Sequence, residues 1–259
     1  MKRIIVCAFI AVLAVGCAAS FKEKRALSKP MVSIAMEKIQ KNDLQGAIVE
    51  LRRALDANPS DPEVYYAFAM AYLNSQKLDK ALENADKAVK YADKLELDHP
   101  GMKSEAYNLK GTVLVSMGKK KEAISAFQNA VKDELYATPE YAYYNISAIE
   151  FDMKRYDEAQ KAAQKALDHN PHYAPAWKIM SQVYLEQGDE NQAINALRHA
   201  ILEYPGYTEA HWDLAQILIR RGNTQEGIKS LNEAVRLDPN GPFGVMAREK
   251  LQELGVISE

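Results

Sequence analysis

The sequence predicts an all-α solenoid of six helix-turn-helix repeats closed by a C-terminal capping helix. Three observations carry this fold class. Small residues recur at Ala47, Ala81, Ala123, Ala159, Ala193 and Gly227, at intervals of 34, 42, 36, 34 and 34 residues. A second series, Ala54, Ala88, Ala130, Ala166, Ala200 and Ala234, follows seven residues behind the first at the same intervals. Pro59, Pro171, Pro205 and Pro239 then come five residues later, in four of the six units. Self-similarity at such a period marks stacked units, each burying its apolar face only against its neighbours.

From the N-terminus, Lys2 and Arg3 precede an apolar run from Ile4 to Val15, followed by small residues. That pattern reads as a secretory signal over residues 1–16, too short to span a bilayer. Leu13-Ala14-Val15-Gly16-Cys17-Ala18 resembles a bacterial lipobox, with Cys17 as the lipidated first residue of the mature chain. It departs from that signal at Ala14, where leucine is usual. The plain alternative is an ordinary small-x-small cleavage site ending at Gly16, which leaves a soluble periplasmic protein. Several acyl chains on one residue hold a protein on a membrane where a single chain binds only marginally. Residues 17–27 are expected to be a tether.

Six units of 34 residues with insertions of eight and two fill residues 28–241, as 28–61, 62–95, 104–137, 140–173, 174–207 and 208–241. In the fifth unit Trp177, Met180 and Tyr184 mark one face of a first helix, at i, i+3 and i+7. Gly188-Asp189 makes the turn, where glycine takes the left-handed conformation that ends a helix. Ala193, Leu197 and Ala200 then line a second helix that stops before Pro205. The second and third units have Asp93 and Leu135 in place of the proline, so their second helices are expected to run longer. Residues 242–259 form the capping helix and tail, opening on Pro242 with Val245, Met246 and Leu251 as the apolar positions.

Composition excludes several functions. Lysine and arginine number 33 against 35 acidic residues, which leaves no basic surplus for nucleic acid. Both cysteines, Cys7 and Cys17, lie in the first 17 residues, so nothing later forms a disulfide or a cysteine metal site. His169 and His172 flank Pro171 at a helix stop, where they read as solvated turn residues. Gly111 and Gly118-Lys119 have the wrong spacing for a phosphate loop, and no nucleophile elbow is present. The sequence therefore carries no catalytic residue, no metal ligand set and no cofactor motif.

The repeated positions resemble the tetratricopeptide repeat. The aromatic place near the start of each unit holds Tyr65, Tyr107, Tyr143 and Trp177, with Met31 and His211 in the end units. The small place four residues on holds Ala35, Ala69, Gly111, Ser147, Ser181 and Ala215. The resemblance implies a right-handed superhelix whose concave groove holds a protein partner through places 2, 5, 9 and 12 of each first helix. Carried onto this chain, Val32, Met36, Ile39, Tyr66, Met70 and Leu73 form an apolar N-terminal groove. The tether or the curvature of the array could equally cover it. Asn108, Tyr144, Asn145, Lys178 and Trp212 continue the groove, Asn145 either binding a peptide backbone or bridging neighbouring helices. Tyr66, Met70, Glu105, Asn108, Leu109 and Asn145 lack the cations of the carboxylate clamp found in chaperone-docking members.

A lipobox followed by six such repeats is similar to the type IV pilus biogenesis lipoproteins, or secretin pilotins. The stretch Asp133 to Asn145, with its tyrosines and proline, matches a junction of that family. The resemblance implies a non-enzymatic adaptor on the periplasmic face of the outer membrane, with a secretin or other envelope segment as partner. Ala18 after the cysteine fits outer-membrane sorting. The alternative is an envelope scaffold for peptidoglycan hydrolases or for outer-membrane protein assembly.

Overall fold

The computed structural model describes residues 20–95 and 97–257; the expected signal peptide 1–16 and the lipidation site Cys17 lie outside the described residues. Among these residues the regular structure is helical. The helices are α1 (Phe21–Gln40), α2 (Leu44–Ala57), α3 (Pro62–Asn74), α4 (Leu78–Tyr91), α5 (Met102–Ser116), α6 (Lys120–Ala130) and α7 (Pro139–Asp152). They continue as α8 (Tyr156–His169), α9 (Ala174–Glu186), α10 (Glu190–Glu203), α11 (Thr208–Arg220), α12 (Thr224–Leu237) and α13 (Pro242–Glu253). The chain divides within α5 into two compact units, one through Leu109 and one from Lys110.

Two backbone devices repeat along both units. The first is the turn inside each hairpin, at Asn42, Gln76, Gly118, Lys154, Gly188 and Gly222, all at positive φ between 56° and 81°. These six keep the spacing of the alanine series, so every hairpin closes through one left-handed residue, whether or not it is glycine. The second device ends the second helices. Asn58, Asn170, Tyr204 and Asp238 have φ between −135° and −143°, and each backbone N–H returns to the alanine four residues back. Each precedes a proline, whose ring disfavours the helical conformation of the residue before it. The periodic prolines thus act one residue upstream.

The small series sits where helices touch. Ala47, Ala81, Ala123, Ala159 and Ala193 are fully buried, as are Ala54, Ala88, Ala130, Ala166, Ala200 and Ala234. Gly227 is held to no side chain at all, because a Cβ there would lie 2.6 Å from Ile219 Cγ1. Three of the aromatic-place residues reach back to the stop of the preceding repeat. Tyr65 Oη donates to the Pro59 carbonyl at 2.8 Å and Trp177 Nε1 to Pro171 at 2.8 Å. His211 Nε2 makes the same contact with Pro205 at 3.1 Å. In these three repeats the ring carries a polar tip that reaches this carbonyl, which histidine supplies as tyrosine does.

Two expectations are corrected. Residues 21–27 are helix, not tether: Ser20 and Glu23 form a reciprocal capping box that starts α1 a full seven residues before the first repeat. Nor does the second helix of the third unit run longer, and that of the second continues past its α-helical part only as a 3₁₀ turn. α4 ends at Tyr91 in a 3₁₀ turn over Ala92–Leu95, and α6 is the shortest helix described. At the latter junction Asp133 Oδ1 accepts from Leu135 N–H at 2.9 Å, a side-chain turn that competes with helix.

The eight-residue insertion is tied down by charge. His99 Nδ1 lies 3.0 Å from Glu63 and Nε2 3.1 Å from Glu105. Arg25 of α1 meets the same Glu63 at 2.9 Å, and Asp98 at 3.7 Å. Beneath them Ser28 Oγ donates to Asp61 Oδ2 at 2.6 Å, both residues fully buried.

Candidate peptide-binding grooves

In the first unit, α1 has one apolar stripe, Val32, Ala35 and Ile39, and it faces inward. Val32 and Ile39 are buried with Ala47, Ile48, Leu51 and Phe68. Both were expected to line the groove; they are core instead, because an end helix has no other face with which to hold on to the array. Met36 packs half-buried on the same cluster. Tyr66, Met70 and Leu73 are half-buried around Ala69, Ala85 and Leu109, and Asn108 is half-buried beside them in sequence. Of the six residues expected in this groove, Met36, Tyr66, Met70 and Leu73 remain partly exposed.

In the second unit the first helices α7, α9 and α11 bring a tyrosine cluster against a charged one. Tyr173 meets Tyr141 and Tyr144 nearly at right angles, with ring centroids 5.2 and 5.6 Å apart. Tyr207 adjoins them; burial, then the charge of Glu209, the Tyr144 ring and the charge of Asp213 all push its phenol pKa upward. Burial and the neighbouring Tyr144 do the same to Tyr173. The Tyr173 and Tyr207 phenols therefore stay protonated.

Lys178 lies at the centre of the charged part. Its Nζ is 2.5 Å from Glu209 and 3.8 Å from Asp213, with only 11% of the side chain exposed. Its charge is thus engaged within the protein and is not presented to a partner as expected. Asp213 makes no hydrogen bond among the described residues. Burial raises its pKa from 3.8 to about 6, with Lys178 opposing and Glu209 reinforcing the shift. Beside it is a depression of about 250 Å³ walled by Phe151, Gln182, Leu185, Gln216 and Ile217, with Glu186 and Arg220 as its other charged residues. The amide nitrogen of Gln216 is enclosed there without a hydrogen-bond partner.

Trp212, also expected in the groove, instead packs on Ala215, Leu231, Ala234, Ala247 and Leu251, the cluster that joins the capping helix to the last hairpin. A large ring at the end of an array finds more apolar surface in the cap than in the groove. Tyr144 and Asn145 are half-buried on α7, and Asn145 forms no hydrogen bond to a neighbouring helix among the described residues. Tyr173, Tyr207, Glu209 and Asp213 escaped the sequence reading. Tyr173 and Tyr207 are 34 residues apart, at the last place of successive repeats, so reading that place in register would have found them.

Helical hairpins stacked in this way, with small residues at each crossing and half-buried polar faces, define a protein-interaction scaffold. The chain belongs to the tetratricopeptide repeat family, whose pattern matches residues 38–111, 108–174, 150–203 and 184–248. Among solved structures it is similar to PilF of Pseudomonas aeruginosa, with a TM-score of 0.74 at 16% identity over 88% of this chain and 99% of that one. It is similar also to PilW, described as a widely conserved type IV pilus biogenesis factor, with a TM-score of 0.72 at 19% identity over 85% and 97% of the two chains. A curated relative, the Hsp70-Hsp90 organizing protein of Triticum aestivum, is 29% identical over 162 residues, 61% of this chain. The chain spans about a quarter of that relative's length, 24%. No described helix is long and apolar enough to cross a membrane.

Proposed function

We propose that this protein is a non-enzymatic adaptor of the bacterial envelope that supports secretin assembly in type IV pilus biogenesis. In this reading an acylated Cys17 anchors it to the outer membrane, and the repeat faces hold an extended segment of the secretin. The observation that carries the reading is the match to PilF and PilW over nearly their whole length, 99% and 97%. The lipobox-like run ending at Cys17 supports it from the sequence. Repeat arrays bind extended segments because their stacked first helices present one continuous face.

The deciding experiment removes the gene and follows heat- and detergent-resistant secretin multimers by immunoblot. Loss of multimers with retained monomer is expected, restored by the wild-type chain. Unchanged multimers would overturn the reading, and altered peptidoglycan hydrolysis in the same strain would move it to a hydrolase scaffold. Membrane fractionation of Cys17→Ser tests the anchor separately. The variant should appear in the soluble periplasmic fraction, and its persistence in membranes would exclude acylation as the anchor.

A further inference from the structure

Resting on the adaptor reading, we propose that the face formed by α7, α9 and α11 selects an arginine side chain of the partner segment, with Asp213 as its counter-ion. Two independent features of the second unit point to a cation. The first is aromatic. Tyr173 stands 5.2 Å from Tyr141 and 5.6 Å from Tyr144 at near-perpendicular angles, and Tyr141 is 44% exposed. Ring faces so grouped attract a planar guanidinium through their quadrupoles.

The second feature is charge. Arg220, on the wall of the depression, is engaged by Glu190 at 2.6 Å, and Lys178 is shared unequally, 2.5 Å from Glu209 but 3.8 Å from Asp213. One negative charge is left over. Asp213 accepts no hydrogen bond among the described residues, although only 28% of its side chain is exposed. A guanidinium entering the adjoining depression would give it two donors at once. An anion would meet Glu209 and Asp213 and be repelled, and an aliphatic side chain would leave the carboxylate no better partnered.

The depression also contains a place for the chain that delivers the arginine. Gln216 walls the same 250 Å³ space, and its amide nitrogen, withdrawn from solvent, has no acceptor until the side chain turns outward. A backbone carbonyl of an extended segment supplies that acceptor. The arrangement therefore specifies a short motif, an arginine within an extended stretch whose neighbours rest on Phe151 and Leu185.

The test selects binders to the full chain from a randomised library of capped decapeptides, then resynthesises each with its arginines changed to alanine or glutamate. Arginine is expected to be enriched. Its change to alanine should weaken binding tenfold or more, and its change to glutamate should abolish it. Asp213→Asn should lose the preference of arginine over alanine while still binding the parent peptides weakly, and Tyr144→Leu should reduce it. Binders without arginine enrichment, or a preference that survives Asp213→Asn, would overturn the inference and leave the adaptor reading standing. A library yielding no binder at all would remove both the arginine site and groove capture.

Discussion

Nδ1 of His99 lies 3.0 Å from the Glu63 carboxylate, which joins the loop between the second and third repeats to the start of α3. The other ring nitrogen faces Glu105 at 3.1 Å, and both can be satisfied at once only when the imidazole carries two protons. Burial works against that charge. The hydrogen bond to Glu63 and the charge and hydrogen bond of Glu105 outweigh it, so the pKa of His99 rises above its ordinary 6.5. Arg25 and Asp98 complete the charged groups around the ring, and they oppose each other.

A raised histidine pKa means that the folded state binds the proton more tightly than the unfolded one. The stabilisation is complete below 6.5 and is lost as pH rises through the higher folded value. His99→Gln should therefore cost about 1 kcal/mol at pH 6, given a partly exposed pair. The cost should shrink at pH 8.5. Thermal unfolding of both proteins across that range checks it, and parallel melting curves would show that the ring is neutral in the fold.

The hairpin turns make a second expectation. Lys154 and Gln76 hold the left-handed conformation that glycine holds at Gly118, Gly188 and Gly222. A side chain in that region costs about 1–2 kcal/mol, offset in part by the entropy glycine loses on folding. Lys154→Gly should raise the unfolding free energy by up to about 1 kcal/mol, with a higher urea midpoint, and Gly188→Ala should lower it by a similar amount. Nothing lies within 4 Å of a Cβ at Gly188, so the loss would be purely backbone. Equal midpoints for all three proteins would refute this account.

These turns also show what the sequence displayed and what it concealed. The alanine spacing revealed all six hairpins, because close helix crossing admits only small residues and leaves a periodic trace. Gly188 was legible as a turn, while Lys154 and Gln76 were not, since tertiary closure imposes a conformation that their own chemistry disfavours. The groove was read less well. A repeat place gives the side of a helix, but Val32 and Trp212 sit on terminal elements where the missing neighbour changes which side is buried. Lys178 was expected to face a partner, but its capture by Glu209 depends on a residue 31 positions away in the next repeat.

Close packing offers a third measurement. A Cβ at Gly111 would fall 2.5 Å from Cε1 of Phe127, a fully buried ring with no free space to move into. Gly111→Ala should destabilise the chain by about 1–3 kcal/mol through overpacking, despite the better helix propensity of alanine. Pairing it with Phe127→Leu should recover part of the loss. An alanine variant as stable as wild type would mean that α5 and α6 separate easily.

Asp213 is expected to exchange stability for binding. Its carboxyl is held at about 6 instead of 3.8, so the folded state disfavours its charge at neutral pH. The sign follows directly: the folded state keeps the proton more readily, so this group's contribution falls as pH rises from 3.8 to about 6 and is flat above. Asp213→Asn removes the buried charge and should raise stability at pH 7 by about 1–3 kcal/mol. The gain should vanish near pH 4, where the wild-type group is already neutral. Lys178 retains Glu209 at 2.5 Å in the variant and is not left unpaired. Denaturant titrations at pH 4, 5.5 and 7 separate this from the His99 effect, which acts at higher pH. A variant that is destabilised at pH 7 would mean that Asp213 already has in Lys178 the partner it needs.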